Sequence, residues 1–316
     1  MNGPLTPVSR LPLTSIGWAI LIALLFVIGV TWGLALSLNR VAMSEDIPVL
    51  AYIFWQMLGG GLVLLAVVVI RRRPFPLDGA HLRYYLLPGA IGLAAPFVLL
   101  AFVAPKIPVG VVALGAGIAP MLTYGFAGLM KLEPYSLLKI VGMIVGFGGV
   151  LLVVLPETSL PSPDMAGWVL VGFSPSILFA LQNVWIQRYR PPVTDSLTLS
   201  AAFLLAAALV IFPFLAATGG WWFFAGPMSS GDWALVIVTL LLALNMVCVF
   251  VIIRRAGAVF LSSVAYLDVL AGVAFGMILF GEQHSGWLWG ALACLLVGLF
   301  LVTIPKRRAR HGCTVG

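Results

Sequence analysis

Charge is scarce in this chain. Only 9% of its 316 residues are Asp, Glu, Lys or Arg, and 10 are acidic. So few charges cannot cover the surface of a soluble domain of this length, which excludes that class. Cysteine is nearly absent. Cys248 and Cys294 fall in apolar stretches and Cys313 in a basic tail, so no disulfide framework is expected. The histidines His81, His284 and His311 stand far apart, with no ligand spacing to a cysteine, so no metal site is expected. Enzyme signatures are missing: there is no HExxH, no GxSxG and no phosphate-binding GxxxxGK[ST]. These absences argue against an enzyme, against a resident cofactor and against direct use of ATP. The net charge of +7 suggests nucleic acid in a soluble protein. On so apolar a chain it reads instead as a collar facing anionic lipid, and nucleic acid is excluded as a partner.

What is present in abundance is apolar length. The chain is 62% hydrophobic, with a mean hydropathy of +1.15. Ten apolar stretches fill it: 16–38, 49–70, 84–103, 109–130, 137–155, 166–187, 196–217, 233–253, 256–280 and 286–304. Each is about as long as a helix needs to cross a hydrocarbon core of ~30 Å. The basic residues test the count. With the N-terminus in the cytoplasm and strict alternation, Arg10, Arg71, Arg72, Arg73, Arg83, Lys131, Lys139, Arg188, Arg190, Arg254, Arg255, Lys306, Arg307, Arg308 and Arg310 lie inside. Only Arg40 and Lys106 lie outside. The loops are short, so the positive-inside rule applies, and one missed helix would scramble the sorting. The first stretch follows Arg10 as a signal peptide would. It ends at Asn39 and Arg40 without a small-residue cleavage site, so it reads as an uncleaved first helix.

The two halves align. Lys106 meets Arg255, Phe126 meets Phe275 and Glu133 meets Glu282, while Gly149, Leu152, Val153 and Pro156 meet Gly298, Leu301, Val302 and Pro305. Gly17-Trp18 meets Gly167-Trp168 at one position more. Each half holds five helices, an odd number, so the second enters the membrane from the opposite side. Inverted repeats of this kind surround a midplane site and rock about it. The expected fold is thus an all-α membrane protein of ten transmembrane helices in two inverted five-helix repeats, 1–156 and 157–316, with both termini cytoplasmic. Pro96, Pro120, Pro175 and Pro213 fall within spans, and 34 glycines accompany them. They serve helix packing and equally permit kinks that rocking would use.

The polar residues inside the spans nominate the site. Asp268, at the middle of 256–280, costs roughly 2.5–3.5 kcal/mol on insertion scales, which nominates it as a proton-coupling group. The bland reading is a protonated Asp bonded to a neighbouring helix. Of the amides Asn39, Gln56, Gln182, Asn183, Gln187 and Asn245, four lie well inside spans: Gln56, Gln182, Asn183 and Asn245. Each is available as a substrate ligand and equally as interhelical glue. Trp32, Tyr124 and Tyr266 are further substrate-binding candidates, able to stack on a ligand or cation. Glu133 and Glu282 each sit between two apolar helices and read as structural caps at a helix N-terminus, Glu133 with Pro134 behind it.

These residues resemble those of a known family. Trp32-Gly33 followed by Asn39-Arg40, Pro120 followed by Glu133, and Tyr266-Leu267-Asp268 with Gly281-Glu282 resemble the patterns of EamA-type, ten-helix members of the drug/metabolite transporter superfamily. The resemblance spans nearly the whole chain. It implies helices one to four and six to nine around a central cavity, with five and ten peripheral. It also implies export of small metabolites or drugs, driven by an ion gradient or by facilitated diffusion. Val269 stands where that family often has proline, so helix nine should be less kinked. Trp55 or Gln56 stands where many members carry arginine, which disfavours strongly anionic substrates. The expected function is secondary export of small metabolites, amino acids or related amphipathic compounds, or drugs, by alternating access, with proton coupling through Asp268. The alternatives are a passive facilitator or channel and a lipid translocator. The expected partners are a small-molecule substrate, the lipid bilayer of the bacterial inner membrane and, left open, a second copy in a homodimer.

Overall fold

The computed structural model describes residues 15–132, 135–154, 162, 164–189, 194–224, 226–256, 260–261 and 264–303. Glu133 and the basic tail from Lys306 onward fall outside these residues. Within the described residues every regular element is helical. The chain runs through α1 (Ser15–Ser44), α2 (Val49–Ile70), α3 (Gly79–Val103), α4 (Val109–Leu129), α5 (Leu137–Val154), α6 (Met165–Tyr189), α7 (Ser196–Thr218), α8 (Ser230–Arg255), α9 (Val264–Phe280) and α10 (Gly286–Thr303).

Seven of these helices are long and apolar enough to cross a membrane. The other three, α5, α9 and α10, are apolar but only 18, 17 and 18 residues long. At 1.5 Å per residue they reach about 26–27 Å, just short of a ~30 Å core. Each of the three abuts residues outside the described set. Large apolar side chains also face outward, among them Ile22, Phe26, Leu129, Leu137, Ile144, Leu209 and Ile278. Water would penalise that belt, whereas lipid accepts it, and helices satisfy their own backbone groups there. The chain is a multi-pass membrane protein.

Helix α1 continues to Ser44, beyond the stretch expected to end at 38. Asn39 and Arg40, the polar pair at the expected boundary, both have partners, so neither forces a stop. The Tyr52 hydroxyl donates to Asn39 Oδ1 at 2.9 Å, and Arg40 pairs with Glu282.

Helix α2 packs on α7, α5 on α10 and α4 on α9. Helix α1 lies against α8 and α9, and α6 lies against α3 and α4. Small residues set the closest approaches, as expected where lipid offers helices no hydrophobic drive to associate. A Cβ on Gly33 of α1 would stand 2.6 Å from Gly272 N and 2.7 Å from Ala271 Cβ of α9. A Cβ on Gly142 of α5 would stand 2.7 Å from the Gly298 carbonyl oxygen of α10.

Three helices are irregular near proline. A π turn at Ala90–Ala94 precedes Pro96 in α3. Helix α4 breaks between Val109–Ala116 and Ala119–Leu129, the second segment opening with Pro120 in its first turn. Helix α6 breaks at Ser174 before Pro175. Pro175 has no N–H to offer Val171 O, and the Ser174 backbone N–H (3.2 Å) and hydroxyl (2.6 Å) serve that carbonyl instead. Helix α9 carries Val269 and runs unbroken from Val264 to Phe280.

Candidate functional site

The breaks in α4 and α6 meet. Ser176 Oγ, one residue past Pro175, donates to the Gly115 carbonyl at 2.6 Å, and Gly115 lies just before the α4 break. Around this junction a cavity of about 150 Å³ opens between α1, α3, α4, α6, α7, α8 and α9. Among the described lining residues none comes from α5 or α10, and none from α2, which the family resemblance places around the cavity.

Each wall is one helical stripe. Helix α1 gives Trp32, Ala35, Leu36 and Asn39. Helix α6 gives Gly172, Pro175, Ser176, Phe179, Gln182, Asn183 and Ile186. Leu261, Val264, Ala265 and Asp268 come from the chain entering α9 and its first turns. The spacing of three and four is that of a single helix face. Two edge-to-face aromatic pairs brace the cavity, Phe97–Phe179 with centroids 6.0 Å apart and Phe203–Phe250 at 5.1 Å.

Four sequence candidates line this space: Trp32, Gln182, Asn183 and Asp268. Asp268 is 7% exposed, and its Oδ1 has no hydrogen-bond partner. Trp32 Nε1 is likewise buried without a partner. Gln182 crosses the bare surface of Gly92 and donates to the Pro88 carbonyl at 3.4 Å, while Asn183 Nδ2 stands 3.5 Å from Thr123 Oγ1. Both bonds are long, which leaves much of each amide's capacity free.

The remaining four lie elsewhere. Gln56 is completely buried in α2, with neither amide atom bonded. Asn245 accepts from the Thr31 hydroxyl at 2.8 Å and ties α8 to α1. Tyr124 accepts the Ser136 N–H at 2.8 Å, and Lys139 Nζ sits 4.7 Å from its ring centroid, so it buttresses the α4–α5 corner. Tyr266 stands two residues, or 200°, from Asp268 and points away from its face. Asn39 and Ser176 line the cavity without having been singled out as site residues. Asn39 could have been found from its place seven residues, two turns, beyond Trp32.

A second polar assembly stands at the end of the bundle where α1 and α9 finish and α4 begins. Gly281 takes φ +62, which a residue with a Cβ rarely adopts, and turns the chain back after α9. Glu282 then points across to α4, accepting Val109 N–H on Oε1 at 2.7 Å and Gly110 N–H on Oε2 at 3.0 Å. Its Oε1 also pairs with Arg40 Nη1 at 2.5 Å, and the Arg40 guanidinium lies 4.4 Å from the Phe280 ring centroid. Glu282 therefore caps α4 rather than α10, the helix it precedes. The first N–H groups of α4 and their positive dipole end attract the carboxylate once the turn at Gly281 aims it there. Glu133, the other expected cap, lies outside the described residues. His284 Nε2 stands 3.7 Å from Glu282 Oε2, and burial holds that imidazole below its ordinary value of 6.5 although the carboxylate pulls the other way.

Among the described residues, a membrane-embedded helical bundle thus surrounds a mostly apolar cavity with a buried carboxylate in its wall, an architecture that suits a transporter. Residues 17–155 match the model of the EamA-like transporter family. It is 26% identical over 289 residues to the "Uncharacterized inner membrane transporter YedA" of Escherichia coli (strain K12), covering 89% of this chain and 90% of that protein. It is 27% identical over 183 residues to Protein PecM of Dickeya dadantii, 58% of each chain. A WAT1-related chloroplastic protein of Arabidopsis thaliana is 22% identical over 313 residues, 93% of this chain and 70% of that one. A solved crystal structure, 18% identical, superposes with a TM-score of 0.61 over 90% of this chain and 96% of its own, a likeness of fold.

Proposed function

We propose that this protein is a secondary transporter that exports small metabolites, amino acids or related amphipathic compounds, or drugs, from the cytoplasm by alternating access, with Asp268 as the proton-coupling group. The observation that carries the reading is the cavity itself. Helices α1, α3 and α4 line it from the first half of the chain and α6 to α9 from the second, so the substrate space lies between two bodies able to move against each other.

The pattern of helix contacts supports two inverted repeats, 1–156 and 157–316. Exchanging each helix with the one five places away turns the α1–α9 contact into α6–α4 and the α1–α8 contact into α6–α3, and maps α2–α7, α4–α9 and α5–α10 onto themselves. An odd number of helices per repeat then makes the repeats opposite in direction. The same reading places both termini in the cytoplasm, with the Arg40–Glu282 end outside. YedA's printed description as an inner membrane transporter supports a bacterial inner-membrane location for this chain.

Counterflow in proteoliposomes with a metabolite panel tests the reading. At least one member should exchange, and Asp268→Asn should abolish accumulation driven by a proton gradient. The reading fails if no member moves or if Asp268→Asn changes nothing. Concentration-driven flux indifferent to a proton gradient would mark a passive facilitator. Cysteine-accessibility labelling that placed the two termini on opposite faces would remove the inverted-repeat mechanism.

A further inference from the structure

We propose that the cavity selects a small aryl-alkyl ammonium, one positive charge on an apolar body of about one ring, with the ammonium held by Asp268. The inference rests on the transporter reading for its biological meaning, but its chemistry stands on the site alone.

Charge decides the sign of the ligand. Among the described residues that line the cavity, Asp268 is the single charged side chain, and none is Lys, Arg or His. Arg40 adjoins the lining residue Asn39 in sequence, but its guanidinium is committed to Glu282 at 2.5 Å. An ionised carboxylate in apolar surroundings demands a partner, and Asp268 Oδ1 has none from the protein. A ligand ammonium supplies both the countercharge and a charge-assisted hydrogen bond. A ligand carboxylate would meet repulsion and find no lining cation.

The walls decide the body. Trp32, Phe97, Phe179, Phe203 and Phe250 surround the space, and aromatic faces attract a cation as well as an apolar ring. Of the neutral polar groups, Ser176 and Asn39 are engaged with Gly115 O and Tyr52, while Gln182, Asn183 and Trp32 Nε1 keep capacity for a polar group beside the ammonium. Size sets the limit. A cavity of about 150 Å³ is the volume that accommodates a benzene ring in a protein interior. Closely fitted ligands are therefore of benzylamine dimensions.

The test is equilibrium dialysis of the purified full-length protein in detergent at neutral pH, with benzylamine, benzyl alcohol and benzoate as probes of equal shape and different charge. Benzylamine should bind at least about 10-fold more tightly than benzyl alcohol, and benzoate more weakly than either. Asp268→Asn should bring benzylamine to the level of the alcohol and leave alcohol binding unchanged. Asp268→Glu should keep the preference for the amine. Equal binding of amine and alcohol, preferred binding of benzoate, no binding of any probe, or a preference that survives Asp268→Asn would each overturn the proposal. Should Asp268→Asn fail to fold, the ranking of the three probes on the native protein decides alone. Cation-selective binding without counterflow of any metabolite would sink the transporter reading and leave this site intact. Counterflow of neutral or anionic metabolites with no amine selectivity would do the reverse.

Discussion

Arg40 and Glu282 are 242 positions apart in sequence, yet their side chains meet at 2.5 Å. The contact joins the end of α1 to the loop after α9, and the same carboxylate holds the first two N–H groups of α4. One acidic side chain, 7% exposed, thus ties together three cavity-forming helices at one end of the bundle. Under the proposed topology this is the outer end.

Glu282→Ala should therefore destabilise the protein by about 2–3 kcal/mol, because it strands Arg40 and two helix-terminal N–H groups together. Glu282→Gln retains an acceptor for α4 and should cost roughly half as much. Thermal unfolding in detergent of the two variants beside the native protein checks the order. Equal losses would show that charge, rather than hydrogen-bond acceptance, does all the holding.

His284 gives the same end a pH dependence. Burial sets its folded imidazole below the ordinary 6.5. As pH falls through about 6.5 the unfolded chain takes up this proton before the folded one, so stability drops on acidification and is complete above that value. The unfolding temperature should fall between pH 7.5 and pH 5.5, and less so in His284→Gln. An identical acid shift in that variant would assign the effect to other groups.

Close helix approach makes a sharp contrast between glycines. Gly33→Ala would drive a Cβ into the α9 backbone at Gly272 and should cost about 1–3 kcal/mol. Gly148 has nothing within 4 Å of an added Cβ. Gly148→Ala should be neutral or stabilising by about 0.5–1 kcal/mol through lost chain entropy. Denaturation midpoints in matched detergent compare the two.

Asn245 separates helix glue from ligand contact. Its Oδ1 receives the Thr31 hydroxyl outside the cavity lining. Asn245→Ala should cost about 0.6 kcal/mol, a typical interhelical hydrogen bond in a membrane protein. It should leave benzylamine affinity unchanged. A large affinity loss with intact stability would place Asn245 in the binding site.

Some of this was legible before any coordinates. Asp268 announced itself by cost alone, since a carboxylate in an apolar span is rare unless it serves something. Trp32, Gln182 and Asn183 were readable as polar or amphipathic groups in apolar helices. What the pattern could not do was separate them from Gln56, Asn245 and Tyr266, which have the same chemistry on other faces. Hydropathy reports depth, not rotation, and in helices that are apolar nearly all round no amphipathic stripe betrays which side faces inward. Glu282 reads in the sequence as a cap beside its own helix, but its hydrogen bonds go to α4, far away in the chain, where no local spacing rule reaches.

The amino-acid sequence by itself determined that this protein lives in lipid, as helices. Those properties follow from apolar length and from the need to satisfy backbone groups without water. Only the tertiary structure decided which polar residues share a cavity, that the breaks at Pro120 and Pro175 meet through Ser176 and Gly115, and that Arg40, Glu282 and α4 form one junction. Those relations depend on how each helix is turned about its axis and how closely its neighbours approach, which long-range packing of small residues fixes and composition does not.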